Sequence, residues 1–177
     1  MTAVQVPDAV GPIVGWRAWK IGSSGREEKF SERLSSIAFD CMWPARQPLK
    51  AECMQVSTRY CCTPPQKRCR CGIYAVHGPR QLLDTLYHER FQVVGEVSLW
   101  GKIVVARKGW RAEFAYPRRL FVISLDLKEA GRLADALSVY GVPVETASRH
   151  TVRSMPPAVP EQPGIWRRVL DGIFGVT

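Results

Sequence analysis

Six cysteines between Cys41 and Cys71 carry the strongest chemical signal in the sequence. The pair Cys69 and Cys71 is followed by Gly72, which frees the backbone to turn toward a shared ligand. In a reducing compartment such a cluster favours a metal over disulfides. Structural zinc takes four tetrahedral thiolate or imidazole ligands. The sequence therefore predicts one structural zinc ion, Zn2+, bound by four cysteines: Cys53, Cys62, Cys69 and Cys71.

The choice of ligands leaves alternatives open. Adjacent cysteines rarely both bind one ion, and we prefer Cys62 to Cys61 because it opens the CTPPQKRCRC loop. The next candidates are His77 and Cys41, and we expect Cys41 to be a small buried side chain. Four cysteines could also hold an iron–sulfur cluster, remain unliganded in the core, or include a catalytic thiol. A closed site has no open coordination position, so it would not activate water.

The positive charge of the chain is concentrated in its middle. The formal net charge is +9, and residues 46–119 hold 14 Lys and Arg against 5 Asp and Glu. Arginine and lysine bind phosphates, while aromatic rings beside them can stack on an exposed base. Core packing of the tryptophans and a solvated basic surface are the alternatives. The predicted nucleic-acid-binding residues are Arg68, Arg70, Trp100, Lys102, Arg107, Lys108, Trp110, Arg111, Arg118 and Arg119.

The C-terminal part of the chain has a different composition. Four prolines between Pro156 and Pro163 favour an extended linker over residues 148–164. Residues 165–177 place apolar side chains on one helical face and predict a segment that docks on a protein partner or a second copy. Folding back onto its own domain and attachment to a membrane surface are the alternatives, and we favour attachment least. The predicted docking residues are Ile165, Trp166, Val169, Leu170, Ile173 and Phe174.

Catalytic motifs and targeting signals are not evident in the sequence. It contains neither a P-loop nor a GxGxxG fingerprint, and His88 and His150 have no evident catalytic partners. Cys61 and His77 could form a nucleophile pair, but nothing in the sequence specifies it. The N-terminus lacks the pattern of a signal peptide, and no apolar run approaches the 18 to 20 residues, roughly, of a membrane span. We therefore expect a cytoplasmic protein and do not predict enzymatic activity.

The elements that must position these residues are short strands and two helices. Residues 41–74 are interrupted by four prolines, and such a long irregular stretch needs something to hold it, such as a metal. Asp126 and Gly141 are typical of the start and end of a helix. Residues 1–147 thus predict one zinc-stabilised α+β domain with two helices, a Cys-rich zinc loop and a small curled, mostly antiparallel sheet or β-barrel. The pattern is compatible with a PUA-like or another small β-barrel. The strands are predicted at 13–21, 34–39, 91–105, 110–116, 120–125 and 142–146, and the helices at 80–90 and 128–140.

Three blocks of the sequence resemble an uncharacterised bacterial family that is also met in phage. They are GWRAW near the start, CxCGIYA at Cys69 to Ala75, and GEVSLWGK followed by GWRAEFAYP, within about residues 11–125. The family has no known activity, so the resemblance implies a genuine domain and no mechanism. Its pattern often has a histidine at the position of Cys62, an exchange that a zinc ligand tolerates. The chain beyond about Ser148 lies outside the resemblance.

These observations together predict a non-enzymatic, zinc-stabilised accessory module that binds nucleic acid. One alternative is a protein–protein adaptor subunit that uses the basic face and the C-terminal segment. Another is a small enzyme of unknown class. Binding that weakens steeply with salt on any polynucleotide would separate the first from the second.

Overall fold

Seven strands and three α-helices are found in the residues that the computed structural model describes, which are 12–24, 31–38, 41–53, 63–66, 70–86, 91–124 and 126–158. The strands are β1 (Ile13–Ser24), β2 (Ser31–Ser36), β3 (Leu49–Lys50), β4 (Ile73–Val76), β5 (Val93–Ala106), β6 (Gly109–Val122) and β7 (Val144–Thr146). The helices are α1 (Pro79–Thr85), α2 (Leu127–Leu137) and α3 (Arg149–Arg153), and a 3-10 turn at Ser138–Tyr140 extends α2.

Four strands close into a ring, in the order β1, β5, β6, β4 and back to β1. The closing contact is one residue pair, Trp16 with Val76, so the ring is not a regular barrel. β2 pairs with the same edge of β1 that meets β4, farther along the strand, and β7 pairs with β6 in parallel, which makes the sheet mixed. The predicted α+β class with a curled, mostly antiparallel sheet is confirmed.

β6 organises the molecule because both of its edges are used. One edge pairs with β5 along the whole hairpin. The other edge meets β4, β3 and β7 in turn. The sequence predicts two strands here, at 110–116 and 120–125, whereas the structure has one. The break expected at Pro117 is absorbed by a register shift at the neighbouring Arg118, and bulges are where strands tolerate proline.

The core consists of two clusters, on the two sides of the sheet. The larger one includes Trp19 and Trp43, with their rings edge to face at 5.4 Å, and one face of α2. The predicted N-cap of this helix is confirmed, whereas the predicted C-terminal glycine follows the 3-10 turn and not the α-helix itself. The Asp126 carboxylate accepts the N–H of Lys128 at 2.8 Å, and Gly141 ends the 3-10 turn at φ +67.

The smaller cluster lies under α1 and α3. It contains Val152 of α3, which is fully buried, and Trp16. Arg153 forms an ion pair with Asp84 of α1 at 2.7 Å, and the N–H of Ala158 donates to the carbonyl of His77 at 3.0 Å. Residues 148–158 of the predicted linker thus pack on the fold, while residues 159–164 and the predicted docking segment 165–177 lie outside the described residues. None of the described helices is long and apolar enough to cross a membrane.

Candidate metal centre and nucleic-acid interface

The sheet brings Cys53 and Cys71 together. β3 and β4 pair with neighbouring parts of the same edge of β6. Just after β3, the N–H of Ala51 donates to the carbonyl of Glu113 in β6 at 2.7 Å, which holds the chain at that edge. Cys53 follows this contact by two residues, and Cys71 precedes β4 by two. Their Sγ atoms lie 3.7 Å apart.

This separation fits two ligands of one zinc ion. Two sulfurs at 2.3 Å from a tetrahedral zinc lie about 3.8 Å from each other. A disulfide would bring them to about 2.05 Å. The other two predicted ligands, Cys62 and Cys69, lie outside the described residues. Within the described ranges no group of three His, Cys, Asp or Glu gathers. The complete zinc site therefore stays a prediction.

Arg111 holds the segment that contains Cys71. One guanidinium nitrogen donates to the carbonyl of Cys71 at 3.3 Å and another to the carbonyl of Gln66 at 3.2 Å. Because these carbonyls stand at the two ends of residues 66–71, the side chain bridges the loop. Arg111 is thus a positioning residue for the cysteine segment, and its predicted contact with nucleic acid stays a prediction.

Gly72 is required by its surroundings. Its φ is +133, a conformation that other residues rarely adopt. A Cβ here would lie 3.1 Å from the Cβ of Pro65 and 3.3 Å from the Cβ of Arg111. The glycine after Cys71 therefore lets the segment pack against β6, in agreement with the turn predicted there.

The two further candidate zinc ligands, Cys41 and His77, do not lie with Cys53 and Cys71 in one cluster. The expectation that Cys41 is buried is wrong, since the residue is exposed. The carbonyl of Cys41 accepts the N–H of Ser36 at 2.9 Å. This backbone hydrogen bond holds Cys41 close to the end of β2, and the thiol does not need to pack in the core. Partial burial nevertheless raises the pKa of the Cys41 thiol, against the opposing charge of Arg17. His77 packs edge to face on Trp110 at 4.5 Å, and burial lowers its pKa.

The predicted nucleic-acid residues do not form one surface. Residues 107–108 are exposed in the turn between β5 and β6. Arg118 and Arg119 lie ten or more residues farther along the chain in β6, which corresponds to about 33 Å of extended strand. Arg119 is ion-paired with Glu145 at 2.7 Å, and Arg118 lies 3.8 Å from the carboxylate of Glu96. These two arginines are therefore partly neutralised by the protein itself.

The two predicted tryptophans have opposite environments. Trp110 is 7% exposed and belongs to the larger core cluster, so it has little ring surface for a base. Trp100 is half-buried and belongs to neither cluster. Arg70 and Lys102 are exposed, and Arg68 lies outside the described residues. Of the two rings, Trp100 is the candidate for contact with a ligand.

Trp100 belongs to a row of side chains that crosses three strands. It pairs with Phe114 of β6, which pairs in turn with Lys50 of β3. The two rings stack at 6.1 Å with 16° between their planes, and the Lys50 ammonium lies 5.7 Å from the centre of the Phe114 ring. Tyr116, two residues after Phe114 in β6, lines an open groove of about 470 Å3. We call this row with its groove the aromatic face, and the groove is lined by Arg46, Gln47, Pro48, Trp100, Tyr116, Tyr140 and Gly141.

Sequence reasoning missed most of this surface. β3 has two residues, too few to show a strand pattern, and Lys50 reaches the row through pairing with a strand more than sixty residues away. The alternation of Phe114 and Tyr116 in GWRAEFAYP was the available signal. Comparison with family models, curated proteins and solved structures finds no match for this chain, so the resemblance of its three sequence blocks stays a prediction.

Proposed function

We propose that the protein is a zinc-stabilised module that binds nucleic acid as an accessory subunit in the cytoplasm. The observation that carries the proposal is the aromatic face, where Trp100 and Phe114 stack beside Lys50 and the groove of Arg46. Rings next to basic side chains are the combination by which proteins hold bases and phosphates together. The net charge of +9 supplies attraction to a polyanion at long range.

The zinc ion has a structural role in this proposal. Cys53 and Cys71 approach each other near the edge of β6, and Ala51, two residues before Cys53, is bonded to Glu113, which directly precedes Phe114 of the aromatic face. Metal binding there would fix the proline-rich stretch that precedes β4. It would also hold the chain just after β3 against the edge of β6 with which β3 pairs. The proposed zinc loop thus supports the strand that carries Lys50. The ring of strands is also compatible with a PUA-like barrel, a comparison of folds that carries no functional weight.

Charge removal at the aromatic face should weaken binding and flatten its salt dependence. In the double variant Arg46→Ala/Lys50→Ala, two phosphate contacts are lost, so the slope of log K against log salt should fall by about 1.4 for a single strand. The measurement is fluorescence anisotropy of a labelled oligonucleotide of about 12 nucleotides over a series of salt concentrations.

Two matched variants control for the loss of charge alone. Arg80→Ala removes one exposed charge on α1, away from the aromatic face, and should leave the slope nearly unchanged. Arg118→Ala/Arg119→Ala should have a smaller effect than the test pair, because Glu96 and Glu145 already compete for these cations. If no polynucleotide binds in a salt-dependent way, the proposal fails and the adaptor hypothesis takes its place.

A further inference from the structure

The groove of the aromatic face offers ring surfaces and not hydroxyl groups. The Tyr116 hydroxyl donates to the carbonyl of Tyr140 at 2.7 Å and accepts the N–H of Arg46 at 2.8 Å. The Tyr140 hydroxyl donates to the carbonyl of Trp43 at 2.8 Å and accepts the N–H of Leu34 at 2.9 Å. Both phenols are therefore engaged inside the protein. Recognition in the groove must come mainly from stacking and from charge.

Trp100 is placed to continue a stack. Its ring lies nearly parallel to Phe114 and belongs to neither core cluster, although four other tryptophans of the chain are less than 10% exposed. A large ring that is kept out of the core and lines a groove retains surface for another planar group. Base–aromatic stacking uses this kind of surface and tolerates every base.

Arg46 is held in an unusual conformation at the same groove. Its φ is +59, a left-handed value that costs free energy for a residue with a side chain, and its N–H is fixed by the Tyr116 hydroxyl. The residue is exposed, and no ion pair among the described residues involves Arg46 or Lys50. Two cations thus flank the rings, and no carboxylate of the described part of the chain is ion-paired with them.

From this geometry we infer that the groove binds one unpaired base of a single-stranded nucleic acid, with Arg46 and Lys50 at the flanking phosphates. The inference rests on the proposed function and narrows it. A duplex hides the faces of its bases in its own stack, so Trp100 can reach them only in a single strand or a loop. The groove, at about 470 Å3, lies in the size range of small-ligand sites.

Intrinsic fluorescence tests the contact directly. Trp16, Trp19, Trp43 and Trp110 are buried, so a base that stacks on an accessible indole should quench mainly Trp100. The background is the full chain with Trp166→Phe, because Trp166 lies outside the described residues. A single-stranded oligonucleotide of about 12 nucleotides should quench this protein, and the added change Trp100→Phe should remove the quenching while retaining most of the affinity.

Affinity provides the second readout. Trp100→Ala should weaken single-strand binding roughly 5- to 100-fold, whereas Leu127→Ala, which removes an exposed apolar side chain on α2, should have no effect. An oligonucleotide with abasic sites throughout keeps its phosphates and loses its bases. This abasic oligonucleotide should bind the unsubstituted protein weakly, and Trp100→Ala should not weaken its binding further.

The outcomes separate this inference from the proposed function. Salt-dependent binding without quenching, with duplex bound as tightly as single strand, would overturn the base site and leave a nucleic-acid-binding protein. An equal effect of Trp100→Ala on normal and abasic strands would show a structural role for the ring and would also overturn it. If neither strand form binds, both proposals fail.

Discussion

Replacing Cys53 or Cys71 by Ser is expected to remove bound zinc from the purified protein and to destabilise it. Each change takes away one of two sulfurs that lie 3.7 Å apart, close to the separation set by a shared tetrahedral ion. Loss of a structural metal costs about 4 kcal/mol or more, which for this chain length lowers the melting temperature by roughly 8–16 °C. Elemental analysis gives the zinc content and calorimetry the melting temperature.

Cys41→Ser is the matched control, because it removes an exposed thiol that does not gather with the other two. Its zinc content and melting temperature should equal those of the unsubstituted protein. Acidification should release the ion from the unsubstituted protein, since thiolate ligands must lose their protons to bind. Full zinc content in both the Cys53 and the Cys71 variant would contradict the proposed ligand set, as would a chelator that leaves the melting temperature unchanged.

Local signals in the sequence were sufficient for the helix ends and for the strand pattern. Asp126 predicts the start of α2, and Gly141 predicts the end of the 3-10 turn that extends it, because capping depends on a few neighbouring atoms. In the predicted strand 91–105, Val97 and Leu99 alternate with Glu96 and Ser98, and both apolar side chains are buried. Such features need no knowledge of distant parts of the chain.

The environments of the tryptophans could not be predicted, because alternation changes phase in the middle of the hairpin. A register shift between Trp100 and Ile103 leaves one more residue on β5 than on β6. Gly101 has φ +74 there, and the carboxylate of Glu113 accepts the N–H of Lys102 at 3.2 Å. On β6, the even positions 110 and 112 are buried, whereas after the shift the odd positions 115 and 117 are buried.

This change of phase places the even-numbered Trp110 inside and the even-numbered Phe114 outside. A period of two read along the sequence assigns both rings to one face. The aromatic face therefore exists because of the bulge, and a bulge depends on pairing between strands. For the same reason Lys50 joins the face only through the register of β3 with β6.

The close approach of β5 and β6 leads to the second large prediction, that Gly95→Ala destabilises the protein by about 3 kcal/mol or more. A Cβ at Gly95 would lie 2.1 Å from the carbonyl oxygen of Arg119 and 3.1 Å from the Cα of Leu120. These are backbone atoms of a paired strand, so no side chain can rotate to relieve the overlap. Urea unfolding monitored by circular dichroism measures the change.

Gly131→Ala is the same substitution at a site where nothing opposes it. Apart from its two chain neighbours and the backbone of its own helix, no heavy atom of the described residues lies within 4 Å of the added Cβ, and the residue is inside α2, where alanine is favoured over glycine by about 0.5–1 kcal/mol. Unfolding should therefore become harder in this variant and easier in Gly95→Ala. Because β5 carries Trp100, the Gly95 variant should also lose single-strand binding, whereas the Gly131 variant should retain it. Wild-type stability in the Gly95 variant would mean that β5 and β6 do not approach as closely as described. The stacking of Trp100 on Phe114, which depends on the pairing of these two strands, would then be contradicted as well.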